Sequence, residues 1–106
     1  MTFVFENFSR EVDNMDVAVV KSYERCLEDF YKRVASIDMK KSASGIYADI
    51  CCAGEAMMEG FFGEGAAREM FGESQSVRKV MTAVCGLNSY MNDVSGVVDS
   101  MRRLKL

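Results

Sequence analysis

From Val77 to Met101 the apolar residues Val77, Val80, Val84, Leu87, Met91, Val94, Val98 and Met101 alternate three and four apart without interruption. Spacing of that kind lines one face of an α-helix, so a chain carrying it must bury a long helical seam. Ser74 or Ser76 can cap the start, and Arg102, Arg103 and Lys105 place positive charge at the end, where the helix dipole favours it. A helix from Ser76 to Arg103 is expected, about 40 Å long at about 1.5 Å per residue. One end of so long a seam overhangs a small core. Either a second copy or the apolar N-terminal segment has to cover it.

Two earlier stretches repeat the pattern. Val20, Tyr23, Leu27, Phe30, Val34 and Ile37 form one stripe, which predicts a helix over 16–37 with Asp16 as N-cap and Asp13 and Asn14 as competitors. On its outer face Glu28 and Lys32, and Asp29 and Arg33, stand acid before base at i,i+4, the favourable order for surface pairs. Between Ile46 and Phe62 the apolar residues cover about half the circumference at about 100° per residue. A helix over 42–60 is therefore expected at the centre, with neighbours on two sides. Gly60, Gly63, Gly65 and Gly72 then stop it and leave only a short helical turn from Ala66 to Phe71. Residues 1–15, with Phe3, Val4, Phe5 and Phe8, read as an apolar arm or a short helix.

The expected fold is an all-α single domain spanning 1–106: a compact bundle of three main helices plus an N-terminal arm or short helix, pairing as a homodimer. Composition agrees, since the 106 residues include no proline and nine methionines. No uncharged apolar run reaches membrane-spanning length, and the start lacks a signal-peptide pattern, which places the chain in the cytoplasm or a host cytosol. A net charge of −3 argues against nucleic acid, whose phosphates call for a basic face. Cys26, Cys51, Cys52 and Cys85 all fall within helical apolar patterns and are read as buried free thiols rather than disulfides.

Chemistry is scarce. Histidine is absent, which removes the ordinary general base, the commonest metal ligand and the usual activator of a nucleophile. Neither Cys52 nor Cys85 has a cation at helical contact spacing, and the adjacent Cys51 and Cys52 diverge on a helix instead of converging on zinc. Glu55 with Glu59, and Glu69 with Glu73, read as solvated faces, because carboxylate-bridged metal bundles draw on Glu-x-x-His motifs. The stretch Gly63-Glu64-Gly65-Ala66-Ala67-Arg68 puts a carboxylate where a phosphate loop needs none, and so reads as a helix-ending turn. Neither a cofactor nor a metal is expected.

What remains is association. The expected role is a non-catalytic helical protein–protein interaction module, an adaptor, small chaperone or inhibitor acting by docking. Phe3, Phe5, Phe8, Val84, Leu87, Met91, Val94, Val98 and Met101 are the candidate partner-binding or dimer seam. Alternatives are a viral or mobile-element regulator that inhibits a host machine, a thiol-based metal or redox sensor using Cys51 and Cys52, and, last, a helix-turn-helix DNA binder.

Overall fold

The computed structural model describes residues 1–104, in which a two-stranded hairpin precedes five helices. Strands β1 (Thr2–Phe5) and β2 (Phe8–Glu11) lead to α1 (Val17–Ala35), α2 (Ala43–Phe62), α3 (Ala66–Phe71), α4 (Val77–Met91) and α5 (Ser95–Arg103). The chain is mostly helical and roughly a bundle, elongated to 56 × 27 × 21 Å. Lys105, expected at the basic end of the last helix, lies outside the described residues.

The helix starts follow from local capping chemistry. Asp16 Oδ1 accepts from the backbone N–H of Ala18 at 2.8 Å and of Val19 at 3.3 Å, so Asp16 rather than Asp13 or Asn14 begins α1. Ser42 and Ser76 cap α2 and α4 by accepting from Gly45 and Lys79, both at 3.3 Å. Helix α3 is too short to hold itself, and the Glu59 carboxylate reaches down from α2 to accept from Ala66 N–H at 3.0 Å. Gly65, at φ +90°, makes the turn before it.

Helix α2 packs against α1, α3 and α4, the central position its wide apolar arc predicts. At the α2–α4 crossing Gly54 faces Val80, and a Cβ on that glycine would stand 2.1 Å from Val80 Cγ1. Met58, Leu87, Val80 and Cys51 are the largest fully enclosed side chains.

Residues 1–15 are neither an arm nor a helix: an antiparallel hairpin in the register Phe3↔Arg10 and Phe5↔Phe8 corrects both readings, and with them the all-α class. Strand alternation wins because it turns Phe3 and Phe8 into the core and leaves Val4 outside. Two strands alone are marginal, and these depend on aromatic packing. Phe3 stacks on Phe62 at 5.5 Å and meets Tyr90 edge-on at 5.7 Å, Phe8 meets Phe62 at 5.0 Å, and Phe5 meets Phe71 at 5.9 Å. At the hairpin tip Glu6 takes a positive φ of 51°, and its carboxylate pairs with Lys79 Nζ at 3.1 Å. Beyond β2, the Tyr90 hydroxyl donates to Val12 O at 2.6 Å.

The single helix expected over 76–103 is also corrected: it breaks between Met91 and Ser95 into α4 and α5. Three side chains make the break. Asp93 Oδ1 accepts from Ser95 N–H at 3.0 Å, and Asn92 Nδ2 turns back to donate to Asn88 O at 2.8 Å. The decisive group comes from outside the segment, because Asn14 Nδ2 donates to Tyr90 O at 2.9 Å and Asp93 O at 3.1 Å. Two carbonyls that a continuous helix would pair internally thus find a donor in the α1 approach. Asn14→Ala removes that donor from a nearly buried position and is expected to cost about 1–2 kcal/mol. Faster amide exchange around Asp93, at otherwise unchanged exchange in α2, would be its signature, and an unchanged urea midpoint would refute it.

Candidate docking surface

The residues singled out from the sequence divide at the helix break. Phe3, Phe8, Val84, Leu87 and Met91 belong to this chain's own core, and Phe5 is half-buried against Phe71. Val94, Val98 and Met101 are exposed on α5, where no residue is buried. Val97 and Leu104, not among the candidates, join them there at 40% and 70% exposure. Their positions at i+3 and i+10 from Val94 would have found them had α5 been read as a separate helix. The opposite side carries Asp99 and Arg103, with Ser100 and Arg102 on the flanks, so α5 is an amphipathic helix with its apolar side turned to solvent.

Beside the root of α5, a groove of about 400 Å³ opens between β2 and α1. Val12, Val19, Phe61 and Phe62 give it an apolar lining, and Glu11 and Asp13 contribute carboxylates. The Glu11 carboxyl is held below its usual range by a hydrogen bond from the Thr2 hydroxyl and by the N-terminal ammonium. Arg10, also at this groove, is engaged elsewhere: its guanidinium pairs with Glu69 and lies 4.5 Å over the Phe8 ring. Among the described residues, Asp13, Asp16, Arg102 and Arg103 enter no ion pair.

The thiols do not share one environment. Cys51 is buried and Cys26 half-buried, but Cys52 and Cys85 are exposed, which corrects the expectation of four buried thiols. Cys52 follows Cys51 by one residue, and a rotation of about 100° carries it off the core face. Burial pushes the Cys26 and Cys51 thiols up, so neither is poised as a thiolate. Among the described residues, no three Cys, Asp or Glu side chains come together in a way that could hold a metal ion. No helix there is long and apolar enough to cross a membrane.

One buried titratable group bears on stability. The Tyr23 hydroxyl donates to Asn88 Oδ1, joining α1 to α4, and its ring meets Phe61 edge-on at 5.9 Å. Burial, with smaller contributions from Tyr31 and Cys85, pushes its pKa from 10.0 up to about 12. Below pH 10 the phenol is protonated in folded and unfolded chains alike; between pH 10 and about 12 only the unfolded chain ionises. Its contribution is thus fully present below pH 10 and lost as pH rises through that interval. Urea titrations at stepped pH should show the decline, and Tyr23→Phe should make it shallower, the remainder coming from groups such as Tyr90 that burial also pushes up; an equal slope in that variant would assign the whole decline elsewhere.

A helical bundle braced by an N-terminal hairpin, with one amphipathic helix left outside it, is the class these features define. The chain belongs to a family of unknown function, DUF6673, which it matches over residues 6–102. No curated protein and no solved structure matches it.

Proposed function

We propose that this chain is a non-catalytic protein–protein interaction module, an adaptor, small chaperone or inhibitor, that docks through α5. The observation that carries the reading is the helix itself: Val94, Val97, Val98, Met101 and Leu104 are exposed along one side, and none of Ser95–Arg103 is buried. An amphipathic helix with anchors at i, i+3, i+4 and i+7 is the form in which helices enter the grooves of other proteins. Apolar side chains of this kind contribute in proportion to the surface a partner groove removes from water, with flanking charges setting orientation. The absence of histidine and the raised thiols at Cys26 and Cys51 favour docking over catalysis.

The test is affinity capture from the native source with the unaltered chain and with Val98→Asp, which alters an exposed position and leaves the core intact. A stoichiometric protein retained by the first and lost with the second is expected. Identical captured sets would refute α5 as the docking element.

A further inference from the structure

The α5 face and the groove beside it complement one another. We propose that the occupant of this face is a second copy of the chain, with α5 of each protomer lying in the β2–α1 groove of the other about a two-fold axis. This rests on the reading of α5 as the docking element and names its partner.

Three observations support the exchange. The first is chemical. α5 offers a stripe of valines and a methionine flanked by Arg102, while the groove offers Val12, Val19, Phe61 and Phe62 beside Glu11 and Asp13. Among the described residues Asp13, which accepts from the Met15 N–H, meets no cation and Arg102 meets no anion, so the pairing gives each a counter-charge.

The second is placement. Asp13 lines the groove, and the next residue, Asn14, is bonded to the carbonyls of Tyr90 and Asp93 at the root of α5. Met15 Sδ lies 3.6 Å from where a Cβ on Gly96 would stand. Helix and groove therefore adjoin one another, and a two-fold interface requires the two complementary halves to lie together on one surface.

The third is scale. Nine residues of α5 span about 14 Å, a small surface on its own, whereas stable interfaces bury about 1,200–2,000 Å² in total. Reciprocal exchange makes the contact twice and brings the two α5 roots together at the axis. A one-way contact would leave one helix and one groove unfilled and would propagate into a filament.

Sedimentation equilibrium of the purified full chain across the micromolar range is the test. A monomer–dimer equilibrium is expected, weakened about tenfold or more by Val98→Asp and by Ala18→Trp, which fills the groove. Mixing those two variants should give a heterodimer tighter than either variant's homodimer but weaker than the unaltered dimer, because one helix–groove contact of the pair stays intact. Asp13→Arg and Arg102→Asp should each weaken association several-fold, and their combination should recover it. A monomer at every concentration overturns the proposal, as does a dimer indifferent to Val98→Asp. A dimer sensitive to Val98→Asp but indifferent to Ala18→Trp overturns it too, since the helices would then pair without the groove. These failures are separable from failure of the docking reading: a monomeric chain that still captures a different protein through Val98 refutes the second copy alone.

Discussion

Leu87→Ala is expected to lower the free energy of unfolding by about 3 kcal/mol, read from the urea midpoint at constant slope. Leu87 is fully enclosed on the inner face of α4, in one cluster with Val80, Val84 and Met91. Truncation removes the transfer free energy of three carbons and leaves a cavity that closes only in part, because the helices around it are fixed by their own packing. A loss of that size is a large fraction of the about 5–15 kcal/mol by which domains are stable. Val98→Ala, the same kind of change eleven residues along the same 3-4 pattern, should stay within about 0.5 kcal/mol when the chain is kept dilute enough to be monomeric, because that side chain is then exposed. Comparable losses at both positions would mean that α5 packs onto the bundle of the isolated chain.

Gly54→Ala should be the second large loss, about 2 kcal/mol. Two effects oppose one another. Replacing a glycine inside α2 gains up to about 1 kcal/mol in helix propensity, but the new methyl would stand 2.1 Å from Val80 Cγ1. Overpacking a closed core costs about 1–3 kcal/mol and sometimes more, and Val80 is poorly placed to yield, being β-branched with no exposed surface. The clash wins. A double-mutant cycle with Val80→Ala isolates it: Gly54→Ala should become neutral or stabilising once the valine is shortened. If the loss persists at full size in the shortened background, the clash is not its cause.

The two corrections to the fold share a physical origin. Helix starts at Asp16, Ser42 and Ser76 and the short α3 were legible because a side chain bonding two or three residues ahead is a local event. The hairpin was not, since Phe5, Phe8, Val12 and Met15 satisfy a helical spacing as readily as Phe3 and Phe5 satisfy a strand's. What decides between them is packing on Phe62 and Tyr90, far along the chain. The helix break is similar. The apolar pattern runs straight through Asn92 and Asp93, and Asn14 supplies the donor that closes α4. For the candidate surface, periodicity found the seam of the last segment but could not divide it: Val84, Leu87 and Met91 serve the core, whereas Val94, Val98 and Met101 face solvent.

The hairpin's docking also sets an order of assembly. Strand β1 is far along the chain from the residues that hold it: Phe3 rests on Phe62 and Tyr90, and Val12 accepts from the hydroxyl of Tyr90. Closing the loop of 78 residues between Val12 and Tyr90 is an entropic step, so the hairpin is expected to dock late, after α2 and α4 have met. Until α2 and α4 have packed together, Phe3 and Phe8 lack the surface formed by Phe62 and Tyr90 and stay open to contact with other chains.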